Sequence, residues 1–195
     1  MIKELKEVLK DDFWIMPATP QYIETGIPYI TSKNIKNGKI IFDNSNYISK
    51  EDYEKISKNR PIIVGDILIS MIGTLGETAV VTEDDGEFYG QNMFLIRLDN
   101  SKIISRYFMN FFKSENVKNQ LKNKQNKSTQ SYLKANHIES LKIPIPSILE
   151  QEKISLKLDK IQKIIEIRKQ QIKSLDEIVK SQFVEHNYFD KLGVA

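Results

Sequence analysis

From Glu150 to Glu185 the chain runs without a glycine or a proline, and Ile154, Leu158, Ile161, Ile165, Ile172, Leu175 and Val179 recur within it at alternating steps of four and three residues. Arg168 and Gln182 occupy the two seam positions that break the apolar series. Such a heptad pattern predicts one continuous helix with a coiled-coil seam, roughly 54 Å long at about 1.5 Å per residue. A chain of 195 residues provides one ordinary domain plus an appended element, and that domain is too small to cover so long a helix. The seam therefore calls for a partner helix, and its seven apolar residues are the expected dimer interface. Ile164 and Ile178 lie beside the seam and widen the apolar stripe. The competing arrangement is an amphipathic helix lying on its own domain.

The boundary before the helix is legible as Pro144, Pro146 and Ser147, because proline ends an extended segment and is not tolerated inside a helix. This divides the chain into a folded domain over 1–146, a long helix over 147–186 and a short tail over 187–195. Within the first part, short β-branched runs punctuated by turn residues read as strands: Tyr29-Ile30-Thr31, Lys39 to Phe42, Asp66 to Ser70, Thr78 to Val81 and Phe94 to Leu98. Asn37-Gly38 is a hairpin signal, since both central positions of a type I′ turn need positive φ. Ser49 with Asp52 three residues on predicts a capped helix start, and Gly73 to Gly76 a tight turn. Between Ser101 and Lys122, Tyr107, Phe108, Phe111, Phe112 and Val117 fall at helical spacing and are expected in the core. The fold class is α+β: a mixed, mainly β domain followed by one long coiled-coil helix.

Composition narrows the chemistry. The chain has no cysteine, which excludes disulfides, thiolate metal sites and cysteine nucleophiles, and its two histidines, His137 and His186, lie far apart in sequence. No stretch is apolar enough for a signal peptide or a membrane span, so cytoplasmic location with no membrane association is the expectation. Asp66 and Glu77 suggest a metal nuclease, but no lysine stands two residues after Glu77. Gly73 to Gly76 has neither the dinucleotide nor the phosphate-loop spacing. No Asn/Asp-Pro-Pro-aromatic tetrapeptide for holding a flipped base is present. No catalytic residue, cofactor or metal is expected.

Charge is unevenly spread: residues 1–100 carry −5, residues 101–142 carry +7, and the remainder +1. The stretch from Lys122 to Lys134 combines lysines and hydroxyls, suited to phosphate oxygens, with Gln125, Asn126 and Gln130, whose amides can pair with an adenine edge. A solvated lysine-rich face has the same composition, so charge alone does not choose between the two.

In order and spacing, several segments resemble the specificity subunits of Type I restriction-modification systems. They are Gly26-Ile27-Pro28-Tyr29-Ile30 before a polar loop, Gly65 to Ser70 with Gly73-Thr74-x-Gly76, and Ser128-Thr129-Gln130 before Leu133. The most specific is Leu141-Lys142-Ile143-Pro144-Ile145-Pro146 followed by Glu150-Gln151-Glu152-Lys153-Ile154, and Lys180 to Glu185 resembles the close of the family's helix. The resemblance spans nearly the whole chain. It implies a target recognition domain for double-stranded DNA and a helical region that docks methyltransferase subunits and, through them, the restriction subunit. Family members commonly carry two of each, so this chain resembles a half-subunit that forms a homodimer and directs its partners to a bipartite site. The residues expected at DNA are Thr31, Ser32, Lys33 and Asn34 in the first loop, Gln91 and Asn92, and Lys122, Lys124, Gln125, Asn126, Lys127, Ser128, Thr129 and Gln130. The alternative is a coiled-coil decoy that occupies methyltransferase subunits without reading DNA.

Overall fold

A computed structural model describes residues 1–16, 20–71, 77–125 and 134–192. In chain order the strands are β1 (Ile2–Glu4), β2 (Trp14–Ile15), β3 (Ile27–Ile30), β4 (Ile35–Lys36), β5 (Lys39–Ile40), β6 (Asn46–Ile48), β7 (Ile67–Ser70), β8 (Thr78–Val80), β9 (Tyr89–Gly90), β10 (Met93–Ile96) and β11 (Lys142–Pro144). The helices are α1 (Lys50–Ser57), α2 (Ser105–Phe112), α3 (Glu115–Gln125), α4 (Ala135–Glu139) and α5 (Ile148–Leu192). The chain divides into two compact units, Met1–Glu152 and the helix from Lys153 onward.

The first unit is organised by the sheet β2-β10-β7-β8, antiparallel throughout. Its two central strands, Ile67-Leu68-Ile69 and Met93 to Ile96, show no polar alternation because both of their faces are buried. Ile67, Ile69, Phe94 and Ile96 point into one apolar cluster, while Leu68, Met93 and Leu95 point into the other. The first cluster is closed by Tyr107, Phe108 and Phe112 of α2, Val117 and Leu121 of α3, and Ile138 of α4. The second is closed by the sheet β6-β3-β9 and the β4–β5 hairpin, through Tyr29, Ile30, Ile35, Ile40, Ile48 and Tyr89. The architecture is thus α+β, with α2, α3 and α4 on one face of the central sheet and the small β units, joined by Tyr53 and Ile56 of α1, on the other.

Local signals behave as their chemistry requires. The Ser49 hydroxyl accepts from the Asp52 amide at 3.0 Å and opens α1. Asn37 and Gly38 both take positive φ, 53° and 84°, and turn β4 into β5. The helical segment after Ser101 is not continuous: it breaks at Lys113-Ser114, where the Ser114 hydroxyl accepts from the Val117 amide and caps α3. The predicted turn at 73–76 lies outside the described residues.

The passage into the long helix is secured by the chain's own first residues. β1 pairs antiparallel with β11, setting Ile2 opposite Pro144. The Ser147 hydroxyl accepts from the Glu150 amide while the Glu150 carboxylate accepts from the Ser147 amide and hydroxyl, a reciprocal cap. Buried Gln151 donates to the Lys102 and Pro146 carbonyls and accepts from the Ile104 amide. α5 then continues to Leu192, beyond the expected end at 186, so most of the expected tail is helical. No Gly or Pro interrupts the sequence until Gly193. Along α5 the seam residues Ile154, Leu158, Ile161, Ile165, Ile172, Leu175 and Val179 are 39% to 62% exposed. Among the described residues no helix is long and apolar enough to cross a membrane.

Candidate nucleic-acid interface

Two predicted loops, far apart in sequence, meet because of one strand pairing. β3 and β9 run parallel, with Tyr29 opposite Tyr89 and Ile30 opposite Gly90. Parallel neighbours send their C-terminal ends in the same direction, so the loop 31–34 after β3 and residues 91–92 after β9 leave the same edge. The Gln91 amide still donates to the Ile30 carbonyl at 3.1 Å, which holds the two exits together. The strands approach closely at Gly90, where a Cβ would stand 2.5 Å from the Ile30 carbonyl oxygen. Beneath them Tyr29 and Tyr89 are fully buried, and burial pushes both phenols above their ordinary range.

The result is a cleft of about 570 Å³ lined by Thr31 to Asn34, Lys36, Asp43, Asn44, Asn46 and Asn92. Asn34 shapes it. The Asn34 side-chain oxygen accepts from the Thr31 amide at 3.0 Å and from the Thr31 hydroxyl, and its amide nitrogen donates to the Ile41 carbonyl at 2.7 Å. That side chain is buried and committed to the loop's own conformation. Thr31 and Ser32 are half-buried, and Lys33 is exposed beside them. Asn44 and Asn92 take positive φ, 58° and 59°, a conformation asparagine adopts more readily than most residues, and both are exposed, as is Asn46. Three exposed carboxamides beside hydroxyls and lysines form a wall able to donate and accept at base edges while facing phosphate with positive charge. Asn44, Asn46 and Lys36 were not singled out from sequence. The polar run Asp43-Asn44-Ser45-Asn46 was the available signal.

Of the other predicted contacts, Gln91, Lys122 and Lys124 do not line this cleft. Gln91 donates its side-chain amide to the Tyr22 hydroxyl at 3.2 Å. Lys122 is exposed on α3, whereas Lys124 donates to the Ser140 hydroxyl at 2.6 Å and ties α3 to α4. Gln125 ends α3, with its side chain outside the described atoms, and Asn126, Lys127, Ser128, Thr129 and Gln130 lie outside the described residues.

Two other polar features are committed to structure. Asp66, fully buried, receives a two-pronged Arg97 guanidinium at 2.7 and 2.9 Å and the Ile63 amide at 2.9 Å. That pairing, foremost, raises the Arg97 pKa above its ordinary value. Asp11 takes a third Arg97 nitrogen at 3.0 Å and Arg60 at 3.2 Å. A larger cleft of about 720 Å³ around Asp11 and Arg60 is walled by three basic and three acidic side chains, and so has no net attraction for a polyanion. Among the described residues, no three His, Asp or Glu side chains gather as a metal site requires.

Comparison with known proteins bears on the family and the fold. The sequence model described as the Type I restriction modification DNA specificity domain matches residues 2–177. A Methanocaldococcus jannaschii chain, provisionally named the type I restriction enzyme MjaX specificity subunit, is 28% identical over 208 residues, covering all of this chain and 48% of its own length. The MjaIX specificity subunit of the same organism is 26% identical, covering 96% of this chain and 44% of its own length. The chain thus spans about half the length of these relatives. Among solved structures, the HsdS subunit from Thermoanaerobacter tengcongensis superposes with a TM-score of 0.61 at 20% identity, over 87% of this chain and 44% of that one. The S subunit of a type I system from M. genitalium superposes with a TM-score of 0.53 at 15% identity, over 91% of this chain and 43% of that one. At these identities the structural likeness establishes the fold.

Proposed function

Since the chain belongs to the family of Type I restriction modification DNA specificity domains, we propose that it binds double-stranded DNA sequence-specifically and positions a partner methyltransferase and, through it, a restriction subunit at a bipartite target. Residues 1–146 form the target recognition domain in this reading. The observation that carries it is the parallel β3–β9 pair, which delivers both predicted polar loops to one cleft. Asn44, Asn46 and Asn92 face base edges there, Thr31, Ser32 and Lys33 complete the wall, and Asn34 holds its shape. The chain supplies no chemistry of its own. It positions the DNA for the methyltransferase, so no catalytic residue is assigned.

The helix over 147–186 serves assembly. Its exposed seam is proposed to pair with a second copy. Ile164 and Ile178 broaden that seam, and the exposed Leu156 and Ile167 carry the apolar surface further round the helix. An apolar surface this broad suits a bundle rather than a lone pair, and its side away from the seam is proposed to receive a methyltransferase helix.

Selection of bound duplexes from a random pool, with the full chain alone and with its methyltransferase subunit, tests the reading. Enrichment of one motif that disappears when Asn44, Asn46 and Asn92 are replaced by alanine is the expected result. A pool with no enriched motif would overturn it.

A further inference from the structure

The β4–β5 hairpin carries charge in an arrangement that folding does not explain. Lys36 and Lys39 are direct cross-strand partners on either side of the Asn37-Gly38 turn. Their neighbours Ile35 and Ile40, also paired, are buried, so strand alternation turns both lysines outward on one face. Like charges directly opposite one another disfavour the pairing. A third ammonium comes from a different layer: the Lys113 Nζ at the end of α2 lies 3.4 Å from where a Gly38 Cβ would stand, over the tip of the turn. All three lysines are exposed, and none makes an ion pair with a described residue. The hairpin itself is firmly seated, since Gly38 bridges to Ala79 beside the central sheet. Lys36 also lines the cleft, so the cluster continues the cleft wall outward. Sequence charge blocks hide this patch, because Lys36 and Lys39 come from the half of the chain that carries −5.

We propose that Lys36, Lys39 and Lys113 form one phosphate-binding patch that grips the backbone of the same duplex whose bases the adjoining cleft faces, an assignment that rests on the DNA-binding reading above. A duplex backbone supplies the closely spaced negative charges that relieve the repulsion among the three lysines. Such contacts hold the register of DNA on the protein without reading sequence.

The test measures affinity by fluorescence anisotropy across a series of salt concentrations, using the full chain with its methyltransferase partner. Target and unrelated duplexes are compared. Replacing Lys36, Lys39 and Lys113 together by glutamine should weaken binding to both duplexes alike and lower the magnitude of the log–log salt slope by roughly 0.9 for each phosphate no longer neutralised. Preference for the target should persist. The single change Lys39→Glu creates an attractive cross-strand pair with Lys36, so it should raise the thermal midpoint while lowering DNA affinity. A purely structural role would move both in the same direction. An unchanged salt slope in the triple variant would overturn the proposal, as would loss of target preference with an unchanged slope. Failure of the parent complex to bind any duplex would overturn the DNA reading itself.

Discussion

At the scale of single residues, a buried charge in this fold is held by a direct counter-charge. Arg97 and Asp66 are the clearest case, since removing the guanidinium leaves a fully buried carboxylate without its counter-charge. Arg97→Met should destabilise the domain by about 3–5 kcal/mol in denaturant unfolding, well above the cost of an ordinary surface exchange. A loss under about 1 kcal/mol would mean that Asp66 finds another partner. His137 sets a pH dependence. Burial first, then the charges of Lys134 and Lys124, hold its imidazole below the ordinary value. The unfolded chain takes up its proton near pH 6.5, whereas the folded chain resists it to lower pH. The stability this contributes is therefore intact above about pH 6.5 and declines as pH falls below it. His137→Gln should unfold with a shallower loss of stability between pH 7 and pH 5 than the parent, and identical slopes would contradict the assignment.

Elements differ in how openly the sequence declares them. The Asn37-Gly38 hairpin and the Ser49 cap were legible because each depends on a few adjacent residues: positive φ in the turn, a hydroxyl facing a free amide at a helix start. The break between α2 and α3 was not. The apolar spacing runs on through Phe112 and Val117, and the Ser114 cap becomes decisive only when both helices pack on the same sheet face. The long helix was the plainest signal of all, because heptad spacing without Gly or Pro has few other solutions. Its exposed seam yields a prediction at this scale: the parent should scatter light as a dimer, and Leu158→Asp or Ile165→Asp should yield monomers by placing an unpaired charge in the interface. A monomeric parent at tens of micromolar would rule out self-pairing through the seam.

For the whole molecule, symmetry constrains the proposed target. Two identical chains related by a twofold axis present the same cleft twice, in opposite directions along the duplex, so the selected DNA should contain an inverted repeat. Mapping methylated positions in cells that co-express the methyltransferase subunit checks this independently. A bipartite motif with unrelated halves would mean that the chain pairs with a different recognition domain. By itself the sequence determined the helix, its boundary at Pro144 to Ser147, the hairpin, the core aromatics and the family, because each rests on local spacing, on turn and cap chemistry, or on the order of motifs. The tertiary structure decided which polar residues share a surface. Nothing near Ile30 in the chain announces Gly90 as its parallel neighbour, nor Lys113 as a companion of Gly38. Those juxtapositions arise when both faces of the central sheet are buried at once, and that buried area depends on residues distributed over the entire first unit.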